Sequence, residues 1–437
     1  MSFVGSPARL RVTSDPAKGP LLLSAAFLSL AAFAIAILFS CFTPINVGLL
    51  AIAFAFLVGV FFAGMKASDV AAGFPSSLFL VLVGVSLLFA QAKVNGSLDP
   101  VVNRSVRLAR GNAGIVPLVF FFLAMALSTI GAGNIAATAA LAPLAMSVAG
   151  RIGVSAFLMT IMVATGANSG GLSPFAPTGI IANGQLARIG ITSVEWRIFS
   201  SNLIAQTFVG IAGYFLLGGT RLLAREVTAG PAAPDAPFDW RQSLTLAAIG
   251  TWILSVVVFG LDVGMSAFIA AAVLTLARAA DEEQAIKAIP WNTILMVAGV
   301  TVLISVLEKT GGMDLFTGFL TRFSTPRSIT GVIAFVTGVI SVYSSSSGVV
   351  LPSFLPTIPG LIEKMGGGDA LAIASSINVG AHLVDVSPLS TLGALCIAVA
   401  PPHENRTRLF NNLLLWGLSM SVVGAAVCYL FFGLLGI

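Results

Sequence analysis

Largely apolar stretches cover positions 21–41, 46–64, 77–93, 153–187 and 195–219, and again 242–260, 263–279, 291–308, 370–400 and 409–436. These runs reach or approach the roughly 20 residues that a helix needs to cross a roughly 30 Å hydrocarbon layer. Lipid offers no partner to a free backbone amide, and a Gly-rich, non-alternating pattern does not suit barrel strands, so each run predicts a helix. Two further apolar stretches cannot be plain spans. One climbs from Ile115 to a polar turn at Ser128, Thr129, Gly131, Gly133 and Asn134 and returns through Ala136 to Val148. The other starts at Thr330, meets Ser344, Ser345, Ser346, Ser347 and Gly348, and continues past Pro352, Pro356 and Pro359. Each predicts a re-entrant hairpin, two short helices meeting at a polar tip, tolerable at membrane depth only inside protein or beside a watery cavity.

A second interruption follows each hairpin. The 153–187 run is split at residues 165–179, which hold Asn168, Ser169, Ser173, Pro174, Pro177 and Thr178. The 370–400 run is split at 378–391, which hold Asn378, His382, Asp385, Ser387, Pro388, Ser390 and Thr391. Proline and glycine unwind a helix and free its carbonyls and amides. Half-helix N-termini then suit an anion and freed carbonyls a cation. The plainer alternatives are a solvated serine loop and simple kinks; recurrence at one place in both halves of the chain favours a site. His382 and Asp385 stand either as partners that satisfy each other or as substrate or proton groups, an intramembrane acid being a functional candidate.

The halves are related. A shift of 215 places Gly84, Val85, Ser86 and Leu88 on Gly299, Val300, Thr301 and Leu303, and Asp99 on Asp314. A shift of 216 carries Asn46-Val47-Gly48 onto Asp262-Val263-Gly264, and one of 214 carries Gly166, Ser173-Pro174 and Gly179 onto Gly380, Ser387-Pro388 and Gly393. The expected organisation is a tail at 1–20, a first membrane repeat at 21–219, a Pro-bearing linker at 220–240 and a second repeat at 241–437. Five crossings plus one hairpin per repeat force the second copy to enter from the opposite face, so the fold expected is an all-α polytopic membrane protein with inverted repeats. The tips and breaks of both repeats then meet at one central site.

Composition removes other classes. Of 437 residues 57% are hydrophobic and 9% charged, against about 25% charged in soluble domains, so the lipid bilayer is the expected partner. The net charge of +5 comes from Lys and Arg scattered between apolar runs, as loop anchors are, which excludes nucleic acid. The basic residues of the loops place the linker in the cytoplasm, whereas Arg9, Arg11 and Lys18 in the tail argue the other way. Cys41, Cys396 and Cys428 are spaced as packing residues. His382 and His403 are the chain's two histidines, and no nucleophile-base pair or Gly-x-x-x-x-Gly-Lys-Ser/Thr loop occurs, which argues against a lipid enzyme and an ATP-driven pump.

The run Gly131-Ala132-Gly133-Asn134-Ile135-Ala136-Ala137-Thr138 with Pro143, then Gly166-Ala167-Asn168 and Ser173-Pro174-Phe175-Ala176-Pro177-Thr178-Gly179, resembles bacterial malonate and dicarboxylate carriers of the ion transporter superfamily, relatives of the divalent anion/sodium symporters. The resemblance covers nearly the whole chain. It implies an inner-membrane homodimer of elevator type, in which a scaffold stands still while the hairpins and following helices move, and a C3 or C4 dicarboxylate substrate. It also implies that Gly133, Asn134, Asn168, Ser169, Ser173, Thr178, Ser345, Ser346, Ser347, Ser387, Ser390 and Thr391 bind substrate. Coupling to Na+ or H+ would then fall to Asp385, Asn134, Asn168, Ser346, Asn378 and His382, with Na+ near the tips. Where those symporters carry Ser-Asn-Thr at both tips, this chain has Gly133-Asn134-Ile135 and Ser345-Ser346-Ser347; Ile135 lacks the hydroxyl, which leaves the coupling ion open. The competing reading is an ion exchanger or inorganic oxyanion exporter of the same superfamily.

Overall fold

A computed structural model describes residues 19–43, 45–97, 112–225, 238–401 and 404–435. Most of the expected tail, the centre of the linker, Asp99 and His403 lie outside these residues. The described chain is helical, with no β-sheet among its residues. The first half holds α1 (Gly19–Phe42), α2 (Val47–Phe56), α3 (Ser76–Val94), α4 (Ile115–Leu127), α5 (Gly133–Ile152), α6 (Ala156–Gly171), α7 (Pro177–Arg188) and α8 (Glu195–Leu216). The second holds α9 (Trp240–Phe259), α10 (Val263–Leu276), α11 (Trp291–Lys309), α12 (Gly312–Thr321), α13 (Ile329–Tyr343), α14 (Ile358–Met365), α15 (Ala370–Leu383), α16 (Thr391–Ala398) and α17 (Arg406–Cys428). Five stretches are long and apolar enough to cross a membrane: Ser76–Val94, Ile115–Ile152, Glu195–Leu216, Trp291–Lys309 and Arg406–Leu434. The chain is an all-α polytopic membrane protein.

Local chemistry sets the helix starts. The Asn46 side chain accepts from the Gly48 amide at 2.9 Å to cap α2, and Asp262 accepts from the Met265 amide at 2.8 Å to cap α10. Pro75 and Pro290, which have no amide to lose, stand immediately before α3 and α11.

The helices form two groups. In the first, α2 packs along α11 and α3 along α10, with α1 and α12 beside them. Glycine permits both crossings. A Cβ on Gly299 would lie 2.0 Å from the carbonyl oxygen of Gly48, and one on Gly48 2.1 Å from that of Leu295. At the other crossing a Cβ on Gly84 would lie 2.7 Å from the Gly264 oxygen. Backbones therefore touch directly, the small-residue packing that membrane helices use in place of a hydrophobic drive.

The second group is built on interrupted helices. α4 and α5 both lie against α6, α13 and α17 pack on α15, and α8 bridges α6 and α15. Its core includes Phe120, Phe121, Met146, Met159 and Tyr214, all fully buried. The groups meet where α3 runs beside α7 and where α11 faces the segment after Ser345.

Candidate functional site

The first tip is made by two glycines in conformations other residues rarely adopt, Gly131 at φ +122° and Gly133 at φ +78°. A Cβ on Gly131 would also stand 2.5 Å from the Phe89 ring. The chain reverses there and Asn134 opens the returning helix. Asn134 Nδ2 donates to Asn168 Oδ1 at 2.7 Å, and Asn168 Nδ2 donates to the His382 carbonyl at 3.0 Å. One tip is thereby tied to the broken helix of its own half and, through it, to that of the other. Asn202 completes the set by donating to the Asn168 carbonyl at 2.8 Å. Thr178 Oγ1 lies 3.4 Å from Asn134 Oδ1.

The second tip follows Tyr343, where Ser344 and Ser345 are extended. Ser345 Oγ accepts from the Gly348 amide at 3.0 Å. Ser346 Oγ donates to Asp385 Oδ1 and contacts Ser341 Oγ. A hydroxyl has one proton, so Ser341 donates when Ser346 serves the carboxylate. Asp385, 6% exposed, forms no ion pair with His382. The His382 ring turns instead to the Asn378 carbonyl at 2.8 Å through Nδ1, and its buried Nε2 has no partner. Asn378 Nδ2 donates to the Ala374 carbonyl at 2.9 Å. Among the described residues no three His, Cys, Asp or Glu side chains gather.

Two serines fasten breaks to tips. Ser173 Oγ donates to the Thr129 carbonyl at 2.7 Å, and Ser387 Oγ donates to the Val342 carbonyl at 3.3 Å. Ser169 Oγ donates to the Thr165 carbonyl at 2.9 Å, and Ser390 Oγ to the Asp385 carbonyl. These side chains hold backbone in place.

A cavity of about 160 Å³ opens between the two helix groups. Of the residues singled out from sequence it collects Gly133, Asn134, Thr178 and Ser347. Asn168, Ser173, Ser346, Asp385 and Ser387 stand behind it as buried support, and Thr391 is exposed at the start of α16. Its facing wall was not anticipated: Ser86, Phe89 and Lys93 of α3. The spacing of Ser86, Phe89, Ala90 and Lys93, i, i+3, i+4 and i+7, is the signal that could have found it.

Over residues 23–171 the chain matches the family model described as dicarboxylate carrier protein MatC N-terminus. The Alcanivorax borkumensis YdaH transporter superposes with a TM-score of 0.60 over 95% of this chain and 98% of its own, at 15% identity, so the two share a fold. The chain is a multi-pass bacterial membrane transporter. Two uncharacterized transporters of Mycobacterium tuberculosis are similar as well. One is 22% identical over 348 residues, 70% of this chain and 78% of its own; the other is 20% identical over 348 residues, 75% and 79%. The transporter resembles dicarboxylate carriers over its first third in sequence and the solved YdaH transporter over nearly its full length in fold.

Proposed function

We propose that this transporter carries a small organic dianion, malonate or another C3 or C4 dicarboxylate, by an elevator movement of the broken-helix group against the α2, α3, α10 and α11 scaffold. The observation that carries this reading is the cavity between those two groups, with Asn134, Thr178 and Ser347 as hydrogen-bonding groups on the moving side. The match of residues 23–171 to dicarboxylate carriers supports the substrate class. The cavity lies on the boundary between the groups, whose other contacts are largely apolar and carry little directional preference.

A two-fold relation between the repeats is supported by an exchange of partners, and an odd number of crossings per repeat makes it an inverted one. Gly48 of the first half packs on Gly299 of the second, and Gly84 of the first on Gly264 of the second, although sequence pairs Gly84 with Gly299 and Gly48 with Gly264. Swapped partners of this kind are the mark of a two-fold relation. Single-cysteine labels at the exposed positions Lys66 and Lys287, in a cysteine-free background, are then expected to react from opposite sides of the membrane. Reaction from one side would remove the inverted arrangement.

A cation, Na+ or H+, is assigned to Asp385 and Ser346 together with the side-chain oxygens of Asn134, Asn168 and Asn378 and with His382, because a buried carboxylate without an ion-pair partner needs compensation. The functional unit is a homodimer in the bacterial inner membrane. Counterflow tests the substrate class: proteoliposomes loaded with malonate are expected to accumulate labelled malonate transiently. Accumulation of an inorganic oxyanion but no dicarboxylate would favour the exporter reading.

A further inference from the structure

We propose that Lys93 is the charge-selecting residue of this cavity: its ammonium takes one carboxylate of the dianion while Asn134, Thr178 and Ser347 hold the other. This rests on the dicarboxylate reading and deepens it. No Lys or Arg lies in either tip or either break, so the moving side offers only neutral donors. Such donors distinguish a dianion from a monoanion weakly, since both present the same oxygens to an amide or hydroxyl.

The missing charge comes from the scaffold. Among the described residues Lys93 is the sole ionisable one lining the cavity, is exposed, and has no hydrogen-bond or ion-pair partner. Two turns earlier on the same face of α3, Ser86 is 7% exposed and its buried Oγ has no partner either. Phe89 and Ala90 lie between them and keep that wall apolar. An unpartnered hydroxyl at the floor and a free ammonium at the rim suit a ligand with an anionic group at each end. The long lysine stem lets the ammonium follow the ligand while its methylenes cover apolar wall. A cation over a half-enclosed apolar surface is screened less than one in open water.

The geometry also makes the contact conditional. Lys93 belongs to α3, whereas Asn134, Thr178 and Ser347 belong to the group that moves, so displacement of that group leaves the ammonium behind. The residue of α11 that corresponds to Lys93 at a shift of 215 is Glu308, acted on through space by Arg188 and Lys309. The corresponding partner of Ser86 is Thr301, which accepts from Gln185 Nε2 at 3.0 Å. The symmetry-related position therefore holds an acid flanked by cations where the first repeat has Lys93.

Calorimetric titration of the purified full-length chain with malonate, succinate and monomethyl malonate tests the assignment, alongside Lys93→Met, Lys93→Arg and the control Lys66→Met, an exposed lysine outside the cavity lining, all checked for monodispersity. Wild type and Lys66→Met are expected to prefer the dianion. Lys93→Met is expected to weaken malonate binding by roughly tenfold or more, the loss of one charge-assisted contact, and to bring the two affinities close together, with Lys93→Arg retaining most of the preference. A snorkelling lysine with only an anchoring role would leave the ratio unchanged in Lys93→Met, which overturns the proposal. No binding of malonate or succinate to wild type would instead overturn the dicarboxylate reading, and this role of Lys93 with it.

Discussion

Gly299→Val is expected to abolish recovery of monodisperse protein, or to lower its unfolding temperature sharply, although the residue touches no substrate. The first added carbon would stand 2.0 Å from the Gly48 carbonyl oxygen, inside any permitted contact, and the obstacle is backbone that cannot rotate away. Relief requires α2 and α11 to separate along their length, which opens voids among Val47, Ala51, Val300 and Leu303. Overpacking of a tight core costs about 1–3 kcal/mol when side chains can yield, and more when they cannot. Gly250→Val is the matched control, since nothing lies within 4 Å of a Cβ at Gly250. Size-exclusion profiles and thermal unfolding of both variants decide the matter; equal behaviour would mean that the crossing is looser than described.

Asp385→Asn is expected to uncouple transport while leaving the fold intact. Asparagine keeps an oxygen for the Ser346 hydroxyl and fills the same volume, so the buried network loses a charge but no contact. Charge is what a co-transported cation requires. Gradient-driven accumulation of malonate is expected to fall roughly tenfold or more, the equivalent of one charge-assisted interaction of about 1.5–3 kcal/mol. Exchange of internal for external malonate needs no net ion movement and should persist. If the coupling ion is H+, the loss appears under a pH gradient; if Na+, as a higher Na+ requirement. Wild-type accumulation in both gradients by the Asn variant would leave Asp385 with a structural role only.

The positions of the helices were legible because their ends carry strong signals. Asn46 and Asp262 cap, Pro75 and Pro290 precede, and glycine and proline interrupt where the backbone departs from helix. The rotation of each helix about its axis was not. α3 is apolar around most of its circumference because lipid and protein both accept apolar residues, so only the spacing of Ser86 and Lys93 hints at an inner face, and Lys93 taken alone reads as a loop anchor. The serines divide in a way that composition conceals. Ser347 faces the cavity, whereas Ser173 and Ser387 spend their hydroxyls on carbonyls of the neighbouring arm. Which partner a hydroxyl chooses depends on carbonyls freed in three dimensions by a broken neighbour, and one chain position does not encode that. Thr391 lies beyond the turn that Ser390 closes and faces outward, for the same reason.

Those two serine fastenings bear on what limits turnover. Neither bond reaches α3 or α11, so sliding of the broken-helix group past the scaffold would leave both unbroken. On the elevator reading tip and break would travel as a sealed hold, with the groups around the cargo already arranged. Selectivity would then be settled at loading, and the time of a crossing would be set by friction along the gliding surface rather than by reassembly of the berth.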